Sequence, residues 1–366
     1  MVKALVIGGT GPTGPAVVRG LMQRGYQVTV YHRGYHETAD LPADPQHLHG
    51  DPDNREDLER DVGHIEWDLV CAMYGRLRYI ADVMADRCAR FIAISGIAGN
   101  VAPSMLPYPL GRALPIAEDH PRYRERTPGR EVGWAVAETE RGVLAHHAAG
   151  HYVATVLRYT NLYGPRVPRQ WLWPIVRRVL DGRRQIIVPG DGAILRPICF
   201  TENAAHQVLL AVDRKEAGGQ VFHTVDQRTY FLTDIIRIVA DALEHPLEIV
   251  GISHPLAHDL ATGYADPPGQ LLDAAKLTYV LGYWDLVAPE EGLRRTARWL
   301  AEHRDELDEK ELGGLVPNPY DYGTEDRLIA SYAAWRNEVD QMLPKPAVAQ
   351  PLTANFRAAY RPGHRA

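Results

Sequence analysis

The sequence predicts an α/β protein with a doubly wound parallel sheet, and three observations carry this prediction. VKALVIG at residues 2–8 is a short, uninterrupted apolar run, which is typical of a strand buried on both faces. PAVVRGLMQRG at 15–25 follows it with apolar residues at helical spacing. The same alternation of strand and helix continues to about residue 165. Strands joined by helices run parallel through right-handed crossovers, so the pattern predicts a layered sheet with helices on both faces.

The later elements of the first half follow the same rhythm. Strands or helices are predicted in turn at residues 27–33, 67–75, 90–96, 131–149 and 151–164. Beyond residue 165 the pattern becomes mixed, and the chain turns charged and helical from about residue 300. We therefore expect a first domain at 1–165 and a smaller, mixed second domain at 166–366. Part of the second domain is expected to return to the first sheet, and a charged extension to begin near residue 300.

Composition limits the classes of function. Of 366 residues, 45% are apolar and 23% charged, which is ordinary for a globular protein with a real core. The net charge of −6 offers no basic surface for nucleic acid. Cys71, Cys88 and Cys199 are odd in number and far apart, which favours reduced thiols over a disulfide frame. With no long apolar run or signal-like start, we expect a cytoplasmic protein that does not enter a membrane.

The first chemical motif is the glycine-rich turn IGGTGPTG at 7–14, directly after the first strand. Gly8 allows the tight turn, Gly11 allows backbone to approach a pyrophosphate, and Gly14 allows the following helix to pack closely. Thr10, Pro12 and Thr13 lie in this turn, and the N–H groups at the N-terminus of the following helix then face the phosphates. A turn that merely connects two elements is the alternative. With a strand before it and a helix after it, the motif favours a Rossmann domain that binds a nucleotide cofactor.

The end of the second strand indicates which cofactor. An acidic residue there usually binds the ribose 2′-hydroxyl of NAD, but this chain has His32 and Arg33. A guanidinium suits a 2′-phosphate, so NADP(H) is favoured over NAD(H); a solvated loop arginine is the alternative. Asp51, after the third strand, is predicted either to bond the adenine amino group or to cap the next helix.

Several later segments resemble one family, the extended short-chain dehydrogenases/reductases of the NAD-dependent epimerase/dehydratase group. The similar segments are RYTNLYGPR, VPGDGAILRPICFTENAAHQVLLAV and LLDAAKLTYVLGYWDLVAPEEGLRRTARWL. The resemblance covers about residues 2–300. It implies a Rossmann domain carrying NAD(P), a substrate domain beside it, and an active site in the cleft between them. It also implies chemistry on small molecules, often nucleotide sugars, and a homodimer.

The resemblance carries over to four further residues. Tyr159 matches a position near the nicotinamide, Asn161 one that faces substrate, and Arg196 one that grips the diphosphate of nucleotide sugars. Ser95 is the hydroxyl on the fifth strand and a candidate for the catalytic one, although the family position lies nearer Ile97. Each residue has a plain alternative: Tyr159 fills the core, Asn161 caps a turn, Arg196 pairs with an acid, and Ser95 satisfies backbone.

The catalytic Tyr-x-x-x-Lys pair of this family is missing. Aligning AETE at 137–140 with the family helix places Val132 at the tyrosine position and Val136 at the lysine position. Valine has no titratable proton and no donor, so it can neither exchange a proton with substrate nor hold the nicotinamide ribose. No other Tyr-x-x-x-Lys lies between residues 100 and 160.

A replacement is sought where the fourth strand ends, because ligands bind at the carboxyl ends of parallel strands. Tyr74 is a candidate proton donor there, and Arg76 could lower the pKa of its phenol or contact substrate. Alternatively, Tyr74 covers the cofactor and Arg76 binds its phosphate. The sixteen histidines are scattered along the chain, so no metal site is expected.

Three functions are consistent with these residues. The first is an atypical reductase, epimerase or dehydratase that uses NADP(H) on a small hydroxyl or carbonyl compound. The others are a non-catalytic NADP sensor, and a lyase or isomerase that uses the cofactor only structurally. Loss of the Tyr–Lys pair favours the last two, whereas Asn161 and Arg196 favour the first.

Overall fold

A seven-stranded parallel sheet forms the centre of the computed structural model, which describes residues 1–35, 40–43, 45–73, 75–101, 105–106, 113–252, 270–307 and 320–343. The strand order is β11-β6-β5-β4-β1-β2-β3. The chain reverses its direction of winding between β1 and β4, and a doubly wound sheet binds its ligands at the carboxyl edge of that point. The strands are β1 Val2–Ile7, β2 Tyr26–His32, β3 Gln46–His49, β4 Trp67–Ala72, β5 Cys88–Gly96, β6 Val153–Tyr159 and β11 Val221–Thr224.

Helices cover both faces of this sheet, as the sequence predicts. Buried apolar residues of α1 and α6 pack on one face, and those of α2, α3 and α4 pack on the other. Each helix of the sheet layer follows the strand it connects, so the predicted fold class is confirmed. These helices are α1 Gly14–Gln23, α2 Arg55–Asp61, α3 Leu77–Val83, α4 Glu131–Ala148 and α6 Thr201–Asp213.

The second half of the chain is mixed, in agreement with its irregular sequence pattern. Three two-stranded sheets pair β10 with β7, β12 with β9, and β13 with β8, while β11 returns to the large sheet beside β6. The strands are β7 Asn161–Tyr163, β8 Gln185–Pro189, β9 Leu195–Arg196, β10 Ile198–Phe200, β12 Tyr230–Phe231 and β13 Glu248–Ile252. The remaining helices are α5 Trp173–Leu180, α7 Leu232–Ala242, α8 Pro289–Glu302 and α9 Tyr322–Met342.

The chain divides into two compact units, Met1–Pro319 and Tyr320–Ala366. The predicted domain boundary at residue 165 therefore falls inside the first unit, and α9 belongs to the second. No helix in the described ranges is both long and apolar enough to cross a membrane. The three cysteines are buried and unpaired with one another.

A buried aspartate ties several elements of the second half together. Asp226 follows β11 and is 1% exposed. Its carboxylate accepts hydrogen bonds from the Tyr163 hydroxyl (2.9 Å), the Asn203 amide (2.9 Å) and the Phe200 backbone N–H (3.2 Å). Burial raises the pKa of Asp226 to about 7, against an ordinary value of 3.8, because an ionised carboxylate loses its hydration there.

The raised pKa of Asp226 makes stability depend on pH. Between its unfolded and folded pKa values the folded chain holds a proton that the unfolded chain has released. The contribution of Asp226 to the free energy of unfolding is therefore full below pH 3.8 and is lost as pH rises to about 7. The expected loss is roughly 2–4 kcal/mol.

Asp226→Asn should flatten this pH dependence, because the amide cannot ionise and Tyr163 can turn its hydroxyl proton to the Pro289 carbonyl, 3.2 Å away. The measurement is urea denaturation of both proteins across that pH range. Asp234→Asn is the control, since Asp234 is exposed on α7 beside Arg237. If the free energy of unfolding of Asp226→Asn falls with pH as steeply as that of the unmodified protein, the ionisation of Asp226 does not cause the pH dependence.

Candidate active site

The glycine-rich turn has the backbone conformation that close approach of a phosphate requires. The Gly8 N–H donates to the Tyr31 carbonyl at 3.0 Å, and Gly8 has a φ of 80°, which favours glycine. A Cβ atom at Gly14 would lie 2.1 Å from the Gly9 carbonyl oxygen, so no other residue fits where α1 begins. Thr10, Gly11, Pro12 and Thr13 complete this short turn at the carboxyl edge of β1. The residues present therefore fit a dinucleotide pyrophosphate.

Tyr159 connects this turn to the neighbouring half of the sheet. Its hydroxyl donates to Oγ1 of Thr13 at 3.3 Å, from the carboxyl end of β6. Burial raises the pKa of the Tyr159 phenol well above its ordinary value, so the phenol keeps its proton at neutral pH. Tyr159 therefore positions the turn and is unsuited to act as a base. Its predicted contact with the nicotinamide stays a prediction.

At the end of β2, on the side predicted for the adenosine, His32 and Arg33 differ in solvent exposure. His32 is buried, whereas Arg33 projects toward solvent where a 2′-phosphate is predicted. Asp51 accepts a hydrogen bond from the Asp53 N–H at 3.0 Å, and the N-cap of α2 is Asn54. The alternative interpretation of Asp51 as the helix cap is therefore wrong, because Asn54 holds that position; the adenine contact of Asp51 stays a prediction.

Helix α4 places the two valines beside its buried face. The side of α4 that faces the sheet carries Gly133, where a Cβ atom would lie 2.7 Å from the Ala98 carbonyl oxygen. Around the helix, Val136 lies between the buried residues Glu140 and Val143 and is itself half-buried. Val132, one turn earlier, is 72% exposed. Val136 thus lies within the packed face and Val132 at its edge, and whether they face a cofactor stays a prediction.

A buried carboxylate anchors the middle of α4. Glu140 is 4% exposed and accepts hydrogen bonds from Nε of Arg158 (3.0 Å) and from Nη2 of Arg122 (2.8 Å). A second oxygen of Glu140 bonds Nη2 of Arg158. Arg122 also donates to the side-chain oxygen of Asn100 at 2.8 Å. We call Arg122, Glu140 and Arg158 the Arg–Glu–Arg cluster; it joins α4 to β6 and to the segment between β5 and α4.

Ser95 lies next to this cluster. It pairs in register with Arg158, and its hydroxyl donates to Oε2 of Glu140 at 3.4 Å. This contact gives the hydroxyl a structural partner, which is a side chain and not the backbone that the alternative interpretation expects. The catalytic part of Ser95 stays a prediction.

The predicted substitute for the missing tyrosine cannot be placed. Tyr74 lies outside the described residues. Arg76 is exposed at the start of α3, and its guanidinium lies 5.4 Å from the centre of the Tyr79 ring. Hydrogen bonding by Arg76, followed by Arg78, lowers the pKa of the Tyr79 phenol. The backbone N–H of Arg76 donates to the Pro52 carbonyl at 3.1 Å, so Arg76 lies beside the segment that follows Asp51.

The two predicted substrate residues lie on the short strands of the second half. The Asn161 amide donates to the Pro197 carbonyl at 3.1 Å, which ties β7 to the connection between β9 and β10. Arg196 is buried in β9, and its guanidinium lies 5.5 Å from the centre of the Trp171 ring. The structure thus gives both residues protein contacts, and their contacts with substrate stay predictions.

Sequence reasoning missed two features of this part of the molecule. The first is the Arg–Glu–Arg cluster, for which Glu140 in a helix gives no local signal of burial. The second is the approach of His32, His47 and His49, which bring ligand atoms within 4.8 Å of one another. The spacing of His47 and His49 in QHLH predicts two histidines on one face of a strand. Their approach to His32 follows only from the pairing of β2 with β3.

Comparisons with known proteins agree with this geometry. The family model described as NAD dependent epimerase/dehydratase family matches residues 102–224. The UDP-N-acetyl-alpha-D-glucosaminuronate decarboxylase of Bacillus cytotoxicus is 23% identical over 339 residues, covering 82% of this chain and 98% of that protein.

Two solved structures have the same fold. The UDP-glucose 4-epimerase of Thermotoga maritima, solved with UDP-glucose, has a TM-score of 0.67 at 21% identity, covering 84% of this chain and all of that one. The UDP-glucose 4-epimerase of Thermus thermophilus, solved with NAD, has a TM-score of 0.64 at 19% identity, covering 81% of this chain and 98% of that one.

Residues 102–224 thus match the NAD-dependent epimerase/dehydratase family, and the chain is similar over most of its length to an enzyme of this group, as the sequence predicts. The predictions of this family and of an enzyme are thereby confirmed. The relatives use nicotinamide dinucleotides, in agreement with the glycine-rich turn.

The Arg–Glu–Arg cluster gives a prediction about stability. Glu140→Gln leaves two largely buried guanidinium groups without their shared counter-charge, so we expect a loss of about 3–5 kcal/mol in the free energy of unfolding. Guanidinium chloride denaturation measures it. Glu138→Gln, on the same helix, is the matched control: it breaks an exposed pair with Arg141 and should cost less than about 1 kcal/mol. Equal losses in the two variants would show that the Arg–Glu–Arg cluster contributes no more to stability than an exposed ion pair.

Proposed function

We propose that this protein is an NADP(H)-dependent enzyme that transfers hydride between the nicotinamide and a carbon of a small hydroxyl or carbonyl compound. The observation that carries the proposal is the glycine-rich turn at the carboxyl edge of β1, closed at Gly14 to any side chain and held by Tyr159. The cofactor supplies the hydride donor or acceptor when bound. The chain then has to orient the substrate and manage the proton.

The preference for NADP(H) rests on the end of β2. In this chain the position for a ribose-binding acid holds His32, and the exposed Arg33 follows it. A guanidinium can form charge-assisted bonds with a 2′-phosphate, whereas a carboxylate would repel it. The solved Thermus relative binds NAD, so this strand end is where we expect the present chain to differ.

The proton must be handled without the usual Tyr–Lys pair. Tyr159 holds its proton too firmly, and Ser95 already contacts Glu140. Val132 is largely exposed, which leaves water able to reach the position where the tyrosine hydroxyl would stand. We therefore propose that Tyr74 or water exchanges the proton with substrate, with Ser95 as the alternative if its hydroxyl turns away from Glu140.

We propose a nucleotide sugar as the substrate class, because the names of two similar proteins contain such compounds. The decarboxylase of Bacillus cytotoxicus and the epimerase of Thermotoga maritima carry such compounds in their names. In this chain Arg196 is the proposed partner of the diphosphate, and Asn161 of the sugar. A cytoplasmic location and a homodimer are proposed on the same family resemblance.

A non-catalytic NADP sensor is the second candidate, and one observation favours it. Val132 and Val136 together remove both the proton donor and the ammonium group that holds the ribose, while Glu140 on the same helix keeps its hydrogen bonds with Arg122 and Arg158. A chain that keeps its fold and cofactor but loses turnover would have this pattern.

Turnover separates the two candidates. The purified protein is incubated with NADP⁺ or NADPH and a panel of nucleotide sugars and simple carbonyl compounds. Substrate is followed by NMR and the reduced cofactor by its absorbance. We expect a new product with at least one compound, and none with Gly14→Ala, whose added Cβ atom should block the turn. Tight binding of NADPH by the unmodified protein without any product across the panel would overturn the enzyme proposal in favour of the sensor.

The cofactor preference is tested separately. Arg33→Ala should remove a charge-assisted bond to the 2′-phosphate. Such a bond contributes roughly 1.5–3 kcal/mol, so NADPH binding should weaken by about ten- to hundredfold. NADH binding should stay nearly unchanged because NADH has no phosphate there. Fluorescence titration measures both. Arg237→Ala is the control for the change in net charge, since Arg237 lies exposed on α7. Equal affinity of the unmodified protein for NADPH and NADH would refute the assignment.

A further inference from the structure

Three histidines meet at the carboxyl edge of β2 and β3. His47 and His49 alternate along β3, so their side chains lie on the same face of the sheet. His32 ends β2 and pairs in register with His49, while His47 pairs with the preceding position, Val30. Neighbouring parallel strands present register partners to the same face. All three imidazoles therefore project from one face, and one ligand atom from each lies within 4.8 Å of the other two.

The rings converge through their edges and not through stacked faces. The ring of His32 lies nearly perpendicular to those of His47 and His49, with centroids 5.2 Å and 4.8 Å away. Nε2 of His32 and Nδ1 of His47 are 3.0 Å apart. Zinc–nitrogen bonds are about 2.0–2.1 Å, so two nitrogens on one tetrahedral ion are about 3.3–3.4 Å apart. The nitrogens of His32 and His47 already have nearly this separation, and the ligand atom of His49 lies within 4.8 Å of both.

We propose that His32, His47 and His49 form a site for a divalent transition metal such as Zn²⁺, with water as the remaining ligand. Neutral imidazole is a preferred ligand of Zn²⁺, Co²⁺ and Ni²⁺. Exposure increases from the buried His32 through the half-buried His47 to the exposed His49. The site thus has a fixed inner ligand and an open side through which an ion enters and a water molecule can remain.

The hydrogen bonds of His32 define what metal binding must change. The Gly34 N–H donates to Nδ1 of His32 at 3.2 Å, so the ring proton of His32 lies on Nε2 and is donated to Nδ1 of His47. A metal on Nε2 of His32 takes the place of that proton, which moves to Nδ1. The bond from Gly34 is then lost, and Gly34, with a φ of 78°, has the backbone freedom to turn. If all three rings are neutral before the metal ion binds, this proton shift releases no proton to solvent.

This site is independent of the proposed cofactor preference and of turnover. Its ligands come from two strands whose pairing exists without any ligand, so the binding geometry is set by the sheet. Low pH should weaken the site, because a protonated imidazole cannot bind a metal ion.

The test is a titration of the full chain, stripped of metal by a chelator, with Co²⁺ and with Zn²⁺. We expect one equivalent to bind, with the visible absorption of four-coordinate Co²⁺, and Zn²⁺ to displace it. His47→Gln and His49→Gln should each weaken binding by at least tenfold. His64→Gln is the matched control, because His64 is an exposed histidine outside the cluster, and it should bind as the unmodified protein does. Thermal denaturation confirms that each variant is folded.

Ring-nitrogen NMR with labelled histidine gives a second measurement. On adding Zn²⁺, the proton of His32 should move from Nε2 to Nδ1. Absence of stoichiometric binding would overturn the proposal, and so would unchanged affinity in His49→Gln. Binding that is weakened equally by His64→Gln would assign the metal to scattered surface histidines and would overturn it too.

Discussion

The buried carboxylate of Glu140 fixes how the helix of the missing Tyr–Lys pair lies on the sheet. It sits between the guanidinium groups of Arg122 and Arg158, and one of these belongs to a central strand. Such a charge is tolerated only with its partners in place, since an uncompensated ion in the interior is costly. Burial also lowers the pKa of Arg122 to about 10, which still leaves it charged at neutral pH. Helix α4 is therefore held in one position whether or not it carries catalytic groups.

The contacts that hold α4 are separate from the two positions where the sequence predicts the loss of the Tyr–Lys pair. The packed side of α4 depends on Gly133, Ala137 and Glu140, none of which is a member of that pair. Val136 lies between Glu140 and Val143 and is half-buried, whereas Val132 is 72% exposed. A valine side chain forms no hydrogen bond, so the polar contacts of Glu140 that hold α4 do not depend on either valine.

The opposite end of the cofactor edge has changed as well. The end of β2 carries His32 and Arg33 where an acid would mark NAD, and β3 adds two more histidines on the same face. These residues place a guanidinium and three imidazoles at this end of the sheet edge. The turn between them, from Gly8 to Gly14, keeps the backbone geometry of a dinucleotide site. The chain therefore preserves the centre of its binding edge and differs at both ends.

The sequence by itself determined the layered sheet, the glycine-rich turn and the resemblance to the epimerase/dehydratase group, because periodicity and motif spacing are local properties of the chain. It also predicts Val132 and Val136 at the positions of the Tyr–Lys pair. Only the tertiary structure decided that Glu140 is a buried hub, that Asn54 and not Asp51 caps α2, and that Asp226 is shielded from water. Contacts between residues far apart in the chain depend on strand order and register. The three histidines show the reason most plainly: His32 and His49 become neighbours only when β2 pairs with β3.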